Sequence, residues 1–250
     1  MALKYGKLAP KFNPKTLLLS KYLLPSALPP PPEKRAWEYA VPDTTWAQSM
    51  LGNDQVGDCV IAAMLHYIMA ATANTGKPVT FTTDQAIQIY SAITGYVPGD
   101  PSTDNGTAWT DALEFWQTNG IFGHYILGWA SIQFQNLTSL RQGVDIFGAT
   151  LIGTAVTESM ENQFGAGQPW NPPFSGGTVG LHGIPMLGYG SQGQTVITWA
   201  AREQEDLTAP SLHDEAYVPV TQDWLDSATG LAPNTLDLDT LNADLKLIAA

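Results

Sequence analysis

Residues 59–75, CVIAAMLHYIMAATANT, are apolar around nearly the whole helical wheel, and Gly76 follows them. A helix with no polar face must be wrapped by the rest of its chain. This stretch therefore predicts a central helix. Asp58 stands where an N-cap is expected and Gly76 where a helix stops. The chain has 250 residues and is 44% hydrophobic, enough for a core around such a helix.

The elements around it change type along the chain. Thr82 and Gln85 have capping-box spacing and predict a second helix ending at Gly95. TAWTDALEFWQTNG predicts a third, capped by Thr107 and stopped by Gly120, with Trp109, Ala112, Leu113 and Trp116 on one face. HYILGWASI, GATLIGTAVT, VGLHGIPMLGYG, QTVITWAA and DEAYVPV are strand-like. YGSQGQT has the composition of a hairpin turn. Helices first and strands later predict an α+β domain, with a helical part at about 50–120 and an antiparallel sheet at about 121–220. Residues 158–178 form an expected long loop holding Trp170 and Phe174, and loops of that length often carry function.

The first 35 residues carry seven lysines and arginines against the single acid Glu33, whereas the chain as a whole has a net charge of −12. Residues 1–40 are thus a basic, proline-rich arm, 41–225 the main domain and 226–250 a tail. KTLLLSKYLL suggests a short amphipathic helix, and LPPPPE an extended polyproline stretch. A basic arm on an acidic body either folds back on it or reaches a protein partner; folding back is the expectation. The acidic balance argues against nucleic acid as a partner. No apolar run is long enough to span a membrane and no signal-peptide pattern is present, so the default compartment is cytoplasmic. GYGSQG is followed by a strand-like run, which argues against a dinucleotide fingerprint. DPSTDNGTAWTD departs from a calcium loop at its glycine and its last ligand. No cofactor or metal is implied.

Cys59 is the only cysteine. In the first turn of a helix, N–H groups and the dipole favour a thiolate, the nucleophilic form. A lone cysteine before an apolar run is more often a small buried hydrophobe. A nucleophile needs a base. His66 sits two turns along the same helix and reads as a core or helix-surface residue, His124 begins a strand, and His213 lies among acids and is expected to be exposed. His182 lies between Gly180 and Gly183, where close approach of another chain or a substrate is allowed.

NDQVGDCVIAA leading into a helix, and HGIPMLGYG with a histidine followed by Gly188, Tyr189 and Gly190, together resemble the papain-like cysteine peptidases. VITWA and VPDTTW resemble further segments of that family. The resemblance implies an N-terminal helical part with a central Cys59-bearing helix, packed on a C-terminal antiparallel sheet that carries His182. It implies a cysteine-dependent hydrolase acting on a peptide or other acyl substrate, with Cys59 as nucleophile and His182 as general base. Thr198 stands where the family has an asparagine that orients the histidine. Asn53 stands six residues before Cys59, where the family has its oxyanion-hole glutamine, while Gln55 supplies the amide type two residues later. Trp170, Phe174, Gly180 and Trp199 are the expected substrate contacts. Because Thr198 departs from the pattern, a non-catalytic binding or assembly module is the alternative. The acids Asp214 and Glu215 would replace Thr198 if DEAYVPV lay beside VITWA.

Overall fold

The computed structural model describes residues 3–18 and 30–225. In chain order the elements are β1 Leu17–Leu18, β2 Arg35–Ala36, α1 Asp43–Trp46, α2 Cys59–Asn74, α3 Thr83–Thr94, α4 Trp109–Asn119, β3 Ile126–Ser131, α5 Leu137–Phe147, β4 Thr150–Thr157, α6 Glu158–Gly165, β5 Thr178–Gly190, β6 Gly193–Thr198, β7 Ala201–Glu205 and β8 His213–Thr221. Where an amphipathic helix was expected over KTLLLSKYLL, Lys15 and Thr16 are not helical and Leu17–Leu18 is a strand; residues 19–24 of that stretch and the tail at 226–250 lie outside the described residues.

The sheet runs β1-β3-β8-β4-β5-β6-β7, with β2 also paired to β5. Every pairing is antiparallel except β1 with β3. Successive residues of the central strands enter two different cores, as the period of two dictates. Leu151, Leu187, Ile197 and Tyr217 join one core, with α2, α3 and α4. Their neighbours Ile152, Met186, Val196 and Ala216 join the other, with Leu140 and Val144 of α5 and Met160 of α6. A sheet covered on both faces has apolar runs without alternation.

Helix α2 is the pillar the sequence requires. All its residues from Cys59 to Thr72 are buried. It packs chiefly on β5, the strand that bears His182. Two capping expectations are corrected. Asp58 holds the N-cap position but its side chain makes no capping bond, because its carboxyl is turned into the interior. Thr107 is not a cap either; Ala108 is the N-cap residue of α4, without a side-chain bond. The box of Thr82 and Gln85 forms in full, and Gly95 ends α3 at φ 77.

The simple order of helices then strands is also corrected, since α5 and α6 interrupt the strand-rich half. The segment 158–178 opens with α6 rather than forming one loop. The basic arm is built into the body. β1 and β2 extend the sheet, Lys11 pairs with Asp111, Lys15 with Glu114 and Arg35 with Asp145. Among the described residues no helix is long and apolar enough to cross a membrane.

Candidate active site

Cys59 opens α2, and His182 lies in β5, which packs along that helix. Both line one enclosed space with Met50, Asn53, Ala62, Ala63, His66, Gly183, Ile197, Thr198 and Trp199. The N–H of Gly183, the residue after His182, donates to Cys59 Sγ at 3.4 Å. His66 is a core residue in the wall of this space, its Nε2 held 2.7 Å from the Ser49 carbonyl.

The His182 ring is fixed on two sides. Its Nε2 lies 2.8 Å from Thr198 Oγ1. Its face stacks on Trp199, with centroids 4.4 Å apart. Nδ1 is buried and has no hydrogen-bond partner among the described residues. The strand register excludes Asp214 and Glu215 from the orienting position: β8 pairs with β3 and β4, whereas Thr198 lies in β6, beside β5 and β7. His213, expected on the surface, is buried, with Nε2 3.7 Å from Glu205 Oε2.

Of the two amides before Cys59, the fold brings only Asn53 to the site. Asn53 is buried in the wall of the cavity, whereas Gln55 is exposed on the turn and is not part of that wall. Trp170 is fully buried: its Nε1 donates to the Met160 carbonyl, and its ring meets the edge of Trp199 at 6.1 Å. It backs the tryptophan that holds His182 and has no surface to offer a substrate. Phe174 is half-buried against the same core.

Sequence reasoning missed what fills the cleft. Residues 4–8 of the arm run directly over Cys59. Lys4 N–H donates to the Asn53 carbonyl at 3.2 Å, and Asn53 Nδ2 donates to the Lys4 carbonyl at 3.3 Å. Trp199 Nε1 donates to the same carbonyl at 3.5 Å. Thr107 N–H donates to the Gly6 carbonyl at 2.8 Å, and Leu8 N–H to the Thr107 carbonyl at 3.0 Å. Tyr5 meets His182 and Trp199 edge-on, and its ring occupies the space that a side chain at Gly180 would fill. Gly180 is thus a close-approach glycine, facing the chain's own arm. A Cβ on Gly6 would fall 1.7 Å from the Gly57 carbonyl oxygen, so only glycine lets the two backbones meet there. The lysines along KYGKL gave a signal of attraction to an acidic body, but nothing that fixed this path.

The cover sets the electrostatics. Burial pushes the Cys59 thiol up to about 11, against the downward pull of N–H groups from Gly183, Gly6 and Lys7. Burial, with His66 nearby, pushes His182 down to about 3. Both groups are neutral at pH 7. Burial also raises the Asp58 carboxyl well above its usual range. The remaining space is about 10 Å³, hardly one water.

A helix carrying a cysteine, packed on an antiparallel sheet carrying a histidine, is the papain-like fold, and this chain adopts it. Xylellain, a cysteine protease from Xylella fastidiosa, superposes with a TM-score of 0.65 at 12% identity, over 87% of this chain and 96% of that one. Procathepsin B S9 from Trypanosoma congolense gives 0.60 at 8% identity, over 88% and 86%. The ragweed cysteine protease Amb a 11, in its proform, gives 0.58 at 15% identity, over 82% and 70%. No protein-family model and no curated protein sequence matches the chain.

Proposed function

We propose that this chain is a cysteine-dependent hydrolase, a peptidase in the first instance, held closed by its own N-terminal segment. The observation that carries this is the convergence of Cys59, a doubly held His182 with a bare Nδ1, and the Asn53 amide on a backbone carbonyl. A bare Nδ1 able to take the thiol proton requires the ring hydrogen on Nε2, donated to Thr198 Oγ1. The thiolate then attacks an acyl carbonyl, and the imidazolium returns its proton to the leaving amine. Asn53 Nδ2 stabilises the oxyanion, with the Cys59 N–H at the start of α2 as second donor. The carbonyl of Lys4, which accepts from Asn53 in the closed state, marks where a substrate carbonyl is held.

The closed state cannot turn over, because residues 4–8 lie over the thiol and leave only about 10 Å³ beside it. Two of the structural neighbours are likewise described as proforms. The test is turnover of generic peptide and ester substrates by the wild-type chain and Cys59→Ala, before and after limited proteolysis of the arm. Activity that appears on proteolysis and requires Cys59 supports the proposal.

The same sealed, neutral pair favours a second function, a non-catalytic module whose arm is a permanent part of the fold. In that case no treatment releases turnover, and Cys59 stays slow toward small electrophiles throughout.

A further inference from the structure

Three segments far apart in the chain meet at one half-buried carboxylate, Asp104. The N–H of Gly57, two residues before Cys59, lies 3.1 Å from both of its oxygens. The hydroxyl of Tyr90, in α3, donates to Asp104 Oδ1 at 2.6 Å. The same hydroxyl accepts from the Gly106 N–H at 2.8 Å and so closes a second link to the 104–107 loop. Tyr90 is fully buried, which holds its hydroxyl in place. Hydrogen bonds to an ionised acceptor are shorter and stronger than those between neutral groups. Cys59 is the only cysteine, so no disulfide within the chain can tie the loops around it. This carboxylate ties them instead. On one side Gly57 leads directly into Cys59, and its path sets the direction of the Cys59 N–H and Sγ. On the other side Thr107 follows three residues after Asp104. Its N–H and carbonyl hold the Gly6 carbonyl and the Leu8 N–H of the segment that lies in the cleft.

We propose that Asp104 is a positioning residue: with Tyr90 it fixes the Cys59 loop relative to the Thr107 backbone, so that an extended chain held at Thr107 presents its carbonyl to the thiolate. This rests on the hydrolase function proposed above. Asp104 acts through two backbone segments and not on the reacting atoms. Asp104→Asn breaks the link, because an amide group turned to Gly57 sets one donor against another. Tyr90→Phe leaves the Gly57 bond and removes the link to Gly106.

The test compares the wild type, Asp104→Asn, Tyr90→Phe and Thr82→Ala, each full-length and activated by limited proteolysis of the arm. Thr82→Ala removes the capping box of α3, the helix that bears Tyr90, and lowers stability without touching the link. Turnover is measured on an extended peptide, which reaches Thr107, and on p-nitrophenyl acetate, which does not. Asp104→Asn should lower kcat on the peptide at least about tenfold and change ester hydrolysis less than about threefold. Tyr90→Phe should move the two rates in the same unequal way, by less. Thr82→Ala should melt lower and keep both rates. Equal losses on both substrates in Asp104→Asn, no loss on either, or the same unequal loss in Thr82→Ala overturns the positioning role and leaves the hydrolase standing. No turnover of either substrate by the activated wild type overturns the hydrolase, and the positioning role with it. Should Asp104→Asn fail to fold, Tyr90→Phe decides by the same comparison.

Discussion

The His182 imidazole lies flat on the Trp199 indole, with planes 19° from parallel. The turn that puts it there is strained. Trp199 and Ala200 join the paired residues Thr198 and Ala201 with φ of 43° and 63°. Such two-residue hairpins favour asparagine and glycine, and a left-handed residue with a Cβ costs about 1–2 kcal/mol. Trp199 accepts that strain and holds His182. Ala200 has no such contact to justify it. Ala200→Gly should therefore stabilise the protein by about 1 kcal/mol and raise its melting temperature by about 2–4 °C, without moving the site. Thermal denaturation checks this.

Thr198→Val keeps shape but removes the one partner of His182 Nε2 among the described residues. A buried ring nitrogen left unsatisfied costs about 1–3 kcal/mol. The variant should fold, melt lower, and lose activity mainly in kcat, as expected of a group that positions a base without touching substrate. Unchanged kcat in an activated enzyme would rule out the orienting role.

Gly6→Ala places a methyl group where the Gly57 backbone already is, so the arm must lift. Water then reaches the thiol that burial now holds at about 11. In the wild type, alkylation of Cys59 by iodoacetamide should climb about tenfold per pH unit toward pH 11. In Gly6→Ala the rate at pH 7 should rise by about 10²-fold, and the climb should level off about two pH units lower. A pH–rate profile of both proteins reads the difference.

Glu38 is buried beside Gly188, and burial raises its carboxyl from 4.5 to about 7. Its folded pKa exceeds its unfolded one, so the native state binds the extra proton. The associated stability is present below about pH 4.5 and is lost as pH rises through 7. The rise corresponds to roughly 3 kcal/mol. Glu38→Gln should therefore stabilise the protein far more at pH 8 than at pH 5, as denaturant titrations at the two values will show.

The helix from Cys59, the capping box at Thr82 and the strands around His182 were legible because each is a local pattern. So was the His182–Thr198 contact, which followed from the resemblance. Helix α5 was not assigned although it left a signal: Leu140, Val144 and Phe147 have helical spacing, and the Asn136 side chain accepts from the Ser139 N–H. Asp58 looked like a cap because capping depends on residue type, yet its side chain went inward and is fully buried. Gln55 has the right chemistry but sits on the outer side of its turn. The path of residues 4–8 was not legible, since it is made by backbone fit among Gly6, Gly57 and Gly106, and glycines alone do not name their neighbours.

The segment over Cys59 is covalently continuous with the body it covers. It therefore acts at an effective concentration, typically millimolar for a short tether, whatever the dilution of the protein. A free substrate that binds with micromolar affinity meets that competitor on every molecule. A single break in the chain between residues 19 and 34 turns the segment into an ordinary ligand. Its occupancy then falls on dilution, and how far depends on the ion pairs of Lys11 and Lys15 that still hold it. Opening would be set by chain connectivity, and a partner that cuts the tether would need no contact with the cleft.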